Sequence, residues 1–158
     1  MKAEEAIQKW MIEHKKTLAL AESITGGQIA ARLTAISGAS QYFLGSLVVY
    51  SNELKQKVLH VSEQTLKKRG PISREVVKEM AENLIALSGA DYGIAITGIA
   101  GPTGGSAEKP IGTIWAAIIE TGKTPEIWNF NLSGTRAQII QGAVDQVLSA
   151  LHRKINSR

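Results

Sequence analysis

Short apolar runs that empty into glycine turns, separated by stretches with helical spacing, constrain this chain more than any other feature. Residues 17–21 (Thr-Leu-Ala-Leu-Ala) run into Glu22-Ser23-Ile24-Thr25-Gly26-Gly27, and residues 92–97 run into a glycine-rich segment from Gly98 to Ser106. Runs this short and this apolar read as buried strands, and their alternation with helices predicts an α/β fold. The expected architecture is a three-layer α/β/α sandwich around a mixed sheet of about five or six strands. Ligands in such sheets gather at strand ends, which is where the glycine turns fall.

The helical stretches are legible from their apolar spacing. Residues 2–15 place Ala6, Ile7, Trp10 and Met11 on one stripe, and a second helix fits 28–36. Residues 52–59 and 63–69 read as two short helices, broken by Gly70-Pro71. Ser73 caps a longer helix to about residue 87, and the last helix runs from Arg136 to about residue 154. Residues 44–50 are apolar nearly throughout and are expected to be a strand buried on both faces. The runs 112–120 and 127–132 are expected to form an antiparallel hairpin.

Length and composition bound the function classes. One domain spanning 1–158 is expected, and the net charge of +4 arises from 18 basic and 14 acidic residues. That balance suits an anionic small ligand, while 5% aromatics give no stacking platform, so direct nucleic acid binding is not expected. The absence of cysteine removes a thiol nucleophile, a disulfide and any thiolate metal site. His14, His60 and His152 lack the spacing of a metal pair, so neither a metal nor another cofactor is expected. The N-terminus has no apolar run suited to a signal peptide, and the longest strongly apolar stretch, 114–119, is too short to cross a bilayer. A soluble, cytoplasmic protein without membrane association is the expectation.

Candidate chemistry concentrates in residues 38–55. Ser40 supplies a hydroxyl, Tyr50 a phenol, Ser51 or Asn52 a helix cap, and Lys55 an amine. These are the parts of a serine nucleophile with a lysine base, which requires a neutral lysine although the free side chain ionises near 10.4. A helix starting at Asn52 puts Lys55 in its first turn, where unpaired N–H groups disfavour a cation. Spacing alone is also met by a capped helix carrying an ordinary surface lysine. Ser23 and Thr25 serve equally as helix caps or as ligands to an anion. The 98–106 segment lacks the Gly-Lys-Ser/Thr ending of a Walker loop and the Gly-x-Gly-x-x-Gly of a dinucleotide fold. Alone, it reads as a hairpin tip. Arg136, in the first turn of its helix, faces either an anionic partner or a neighbouring carboxylate.

Ala21-Glu-Ser-Ile-Thr-Gly-Gly27, Gly38-Ala-Ser40, Val49-Tyr-Ser-Asn52 with Lys55, Ala95-Ile-Thr-Gly-Ile-Ala-Gly-Pro102, Lys109-Pro-Ile-Gly-Thr113 and Gly134-Thr-Arg136 occur in order along nearly the whole chain. Together they resemble the CinA C-terminal domain family, the nicotinamide-nucleotide amidohydrolases. The resemblance implies hydrolysis of the carboxamide of nicotinamide mononucleotide to the acid nucleotide and ammonia, without a metal, in pyridine nucleotide salvage. It places the nucleophile at Ser40, the base at Lys55 and an assisting tyrosine at Tyr50. Substrate contacts fall on Ser23, Thr25, Gly26, Gly27, Asn52, Thr97, Gly98 and Arg136, with Ser23, Thr25 and the first-turn amides taking the phosphate. Many members carry a separate N-terminal domain, so a stand-alone form is expected here. The chain has Gly45-Ser46 where the family usually has Gly-Gly, and Ser37 where it usually has proline.

Length sets a difficulty for the Ser40 assignment. A strand covers about 3.3 Å per residue, so Ser40 before the 44–50 strand and Lys55 beyond it end up about 20 Å apart. Contact then needs a fold-back or a second subunit, and a homo-oligomer is the expectation. Otherwise Ser23, at a strand exit, is the competing nucleophile. Two other classes share these features. One is a non-catalytic nucleotide-binding or regulatory module with Lys55 protonated, and the other is a phosphotransferase drawing metal-binding carboxylates from Glu22 or Glu108.

Overall fold

The computed structural model describes residues Met1–Arg158 as five strands and six α-helices. In chain order they are α1 (Ala3–Glu13), β1 (Leu18–Glu22), α2 (Gln28–Thr34), β2 (Phe43–Val48), α3 (Asn52–Leu59), α4 (Glu63–Arg69), α5 (Arg74–Ser88), β3 (Tyr92–Gly98), β4 (Thr113–Glu120), β5 (Glu126–Asn131) and α6 (Arg136–Asn156). A single 3-10 turn, Ala39–Gln41, precedes β2. The strands form one mixed sheet in the order β2-β1-β3-β4-β5, with β1 parallel to both β2 and β3 and the β3-β4-β5 pairings antiparallel.

Alternation along the strands divides the core in two. Leu18 and Leu20 of β1, Ile94 and Ile96 of β3, and Ile114 and Ile118 of β4 face α1, α2 and α6. Ala19, Ala21, Ala95 and Ala117 face α5, whose stripe of Val76, Val77, Met80, Ala81 and Leu84 packs against them. Small residues on this face let α5 lie close, since a Cβ on Gly93 would approach Leu84 and Ile119 at 3.1 Å. This is the three-layer sandwich expected from the sequence.

Serine and threonine caps fix the helix starts. The Ser51, Ser62, Ser73 and Thr135 hydroxyls accept from the amides of Leu54, Thr65, Val76 and Gln138, opening α3, α4, α5 and α6. One expectation fails. β2 is one of the sheet's two outer strands, with Leu44 and Val48 about half exposed, rather than a strand buried on both faces. Phe43 packs on the α1, α2 and α6 side and Leu47 on the α5 side, but with no strand beyond β2 none of its residues is fully buried.

Strand order also locates the site. From β1 the chain passes through α2 to β2 on one side, and then through α3, α4 and α5 to β3 on the other. The C-terminal end of β1 is therefore a switch point, where diverging connections leave a crevice. Ser23 is the residue that follows β1.

A candidate serine and lysine site

Ser23 sits in a sharp exit from β1. Its amide donates to the Ile96 carbonyl, its carbonyl accepts from Gly26, and the residue is 6% exposed. Gly26 (φ 56°) and Gly27 (φ 98°) then turn the chain in left-handed conformations that L-side chains resist, and α2 begins. The amides of Ile24 and Thr25 donate to no acceptor within the chain.

Lys55 enters from α3. Ser51 caps this helix through the Leu54 amide, and Lys55 extends from its first turn into the protein, 2% exposed. Its Nζ lies 3.0 Å from Ser23 Oγ and 3.1 Å from the Tyr50 carbonyl, and no carboxylate pairs with it. Burial without a counter-charge pushes the amine down to about 8. A neutral Lys55 donates to the Tyr50 carbonyl and directs its lone pair along the 3.0 Å line to Ser23 Oγ. That is the geometry of a base beside a nucleophile.

Ser40 is not part of this arrangement. It lies exposed in the 3-10 turn before β2, while Lys55 lies beyond the far end of that strand, and six residues of strand span about 20 Å. The chain does not fold back because β2 runs parallel to β1. Within one chain the hydroxyl at Lys55 is Ser23, which replaces Ser40 as the candidate nucleophile.

The remaining candidates divide between the site and its scaffold. Arg136, at the start of α6, donates to the Gly101 carbonyl at 2.8 Å and to the Tyr50 hydroxyl at 3.0 Å, so its neighbours are neutral acceptors rather than a carboxylate. It joins the glycine-rich loop, the α3 entry and α6 over the ends of β1 and β3. Tyr50 reaches Lys55 through its carbonyl and leaves its ring 59% exposed. Thr97 is buried beside Ser23's partner Ile96 and donates its hydroxyl to the Pro71 carbonyl. Asn52 is exposed at the first position of α3. Gly98 is required by packing, since a Cβ there would lie 2.6 Å from Ile114 and 2.8 Å from the Thr113 carbonyl.

The expected phosphate cradle at α2 is already occupied. The Glu22 carboxylate accepts from the Thr25 hydroxyl at 2.7 Å and from the amides of Ile29 and Ala30 at 3.0 and 3.3 Å. The Glu22 side chain itself fills the place assigned to a substrate phosphate, and Thr25 is fully buried beside it. Gly26 and Gly27 shape this turn through their backbone geometry. The same bonds remove Glu22 as a metal ligand, and Glu108 is an exposed loop residue, which disfavours the phosphotransferase. No three His, Cys, Asp or Glu side chains converge to hold a metal ion. A surface hollow of about 710 Å³ lies away from Ser23, around Glu4, Arg32 and Asp145, where Arg32 pairs with both acids. No helix is long and apolar enough to cross a membrane.

Comparisons with known proteins agree with this architecture. The model of the CinA C-terminal domain family matches residues 1–155. A CinA-like protein of Endomicrobium trichonymphae is 49% identical over 145 residues, 92% of this chain and 34% of that protein. A CinA-like protein of Thermotoga maritima is 43% identical over 99% of this chain and 38% of its own length. The chain thus spans just over a third of these relatives. Among solved structures, competence damage-inducible protein A of Klebsiella pneumoniae superposes with a TM-score of 0.93 at 33% identity, covering 99% of this chain and 98% of that one. A competence/damage-inducible protein of Agrobacterium tumefaciens gives 0.92 at 34% identity, covering 98% and 95%.

Proposed function

The chain belongs to the CinA C-terminal domain family, and from that premise we propose that it hydrolyses the carboxamide of nicotinamide mononucleotide, with Ser23 as nucleophile and Lys55 as base. The observation that carries this reading is the 3.0 Å contact between Ser23 Oγ and a buried, carboxylate-free Lys55 Nζ.

Ser23 Oγ attacks the amide carbon as its proton passes to Lys55 Nζ. The amides of Ile24 and Thr25, which follow the nucleophile and lack acceptors, are the available donors to the oxyanion. Lys55 then returns the proton to the leaving nitrogen, the C–N bond breaks, and ammonia departs. Water attacks the acyl-enzyme with Lys55 as base, releasing the acid nucleotide and restoring Ser23. The exposed Tyr50 ring offers a face to the pyridine. Arg136, bound only to neutral oxygens, provides the charge for the nucleotide phosphate in place of the α2 turn. Nothing in this scheme requires a second subunit.

Ammonia release from nicotinamide mononucleotide tests the reading. Wild type is expected to turn over, with Ser23→Ala and Lys55→Met each reduced by about a thousandfold or more. A wild type that binds the nucleotide without releasing ammonia contradicts the enzyme reading and leaves a nucleotide-binding module.

A further inference from the structure

Two carboxylates are buried in this chain, and they are satisfied differently. Glu4 pairs with Arg32, whereas Glu22, fully buried, meets no cation. Glu22 instead accepts four hydrogen bonds: from Thr25 Oγ1 at 2.7 Å, Ser46 Oγ at 2.7 Å, and the amides of Ile29 and Ala30. These donors come from three places, the turn after Ser23, the outer strand β2 and the first turn of α2. The Glu22 carbonyl also accepts from Val49, and the next amide, that of Ser23, is held by Ile96. Glu22 is thereby tied to α2, to β2 and to the residue just after β2, while Ser23 is tied to β3.

Resting on the assignment of Ser23 as nucleophile, we propose that Glu22 is the positioning residue that keeps Ser23 Oγ in line with Lys55 Nζ, with Ser46 bracing it from β2. Glu22 makes no ion pair with Lys55 and acts only through the turn that carries Ser23. Every Glu22 partner is a donor, so a side-chain amide in its place sets an N–H against one of them while keeping the volume. Ser46 is the brace that residue 46 adds from the outer strand. A glycine or alanine there leaves Glu22 with three donors.

The test combines turnover of nicotinamide mononucleotide with labelling of Ser23 by a fluorophosphonate. In labelling, the Oγ–P bond forms, the P–F bond breaks, fluoride leaves and Lys55 takes the serine proton. Glu22→Gln is expected to lower both kcat and the labelling rate by roughly 10- to 100-fold, the scale of a small misplacement of a reacting group. KM and the pH of the rising limb are expected to stay near wild type. Ser46→Ala is expected to lower both rates a few-fold, and less in the Glu22→Gln background than alone. Wild-type rates in Glu22→Gln, strictly additive effects, or losses matched by the unfolded fraction would overturn the proposal. If Glu22→Gln does not fold, Ser46→Ala decides, and an unchanged labelling rate overturns it. A wild type that is labelled at Ser23 but releases no ammonia refutes the substrate assignment alone, and labelling then reads the positioning role.

Discussion

Lys55 is the residue on which chemistry and stability trade against each other. The proposed hydrolysis needs its neutral form, so kcat/KM is predicted to rise with pH through about 8, the value to which burial lowers the amine. A rising limb that persists in Lys55→Met contradicts this. The stability consequence has the opposite sign to a salt bridge. Between about 8 and the ordinary 10.5 the unfolded chain binds a proton that the folded chain does not, so stability falls as pH drops through that range and is constant below it. The shift corresponds to about 3 kcal/mol of cost at neutral pH. Lys55→Met removes that cost but leaves the Tyr50 carbonyl unpaired. The expected net result is a Tm a few degrees above wild type at pH 7, with the two curves crossing before about pH 10.5, where the protonation cost is gone and only the unpaired carbonyl remains. A lower Tm at pH 7 would show that the amine stabilises the fold. Much of this residue's role was legible, because the chemistry of a serine and lysine pair demands a depressed amine and residue 55 falls in a helix's first turn. Its burial was not, because a lysine in a polar helix reads equally as a surface residue.

At the level of elements, the helices were the most legible part of the chain. α3 and α4 have the bounds their caps and Gly70-Pro71 indicate, because Ser51 and Ser62 satisfy amides that have no helical partner. Ser51→Ala is expected to cost about 1 kcal/mol in denaturant unfolding, and, because Lys55 rides on that first turn, to lower kcat as well. Stability loss with unchanged kcat would separate the cap from the site. Gly27, at φ 98°, is expected to tolerate alanine poorly, with a loss of about 1 to 3 kcal/mol. β2 was the least legible element. Its apolar sequence reads as a doubly buried strand, and only the strand order reveals that one side is open. In the sequence Glu22 reads only as a possible metal ligand. The available signal was a carboxylate at the end of an apolar run and three residues before Thr25, which is where an acid can close the turn below a helix.

For the whole molecule, the separate residues of the site were visible in the sequence, whereas their partnership was a property of topology. Ser23, Tyr50, Lys55 and Arg136 come together because β1 stands between two parallel neighbours, with connections leaving it to either side. Ser40 belongs to the opposite end of the same sheet because β2 carries the chain away from it. One-dimensional spacing joined Ser40 to Lys55, and the parallel register of β1 and β2 separates them. In the proposed mechanism the acyl group forms on Ser23, so the position of the acyl adduct decides between Ser23 and Ser40. The experiment is rapid acid quench of nicotinamide mononucleotide turnover, peptide mass spectrometry, and parallel assays of Ser23→Ala and Ser40→Ala. A nicotinoyl nucleotide adduct on the peptide containing Ser23 is expected, with no detectable turnover in Ser23→Ala and Ser40→Ala within about twofold of wild type. An adduct on Ser40, with Ser23→Ala still active, would contradict the assignment of Ser23.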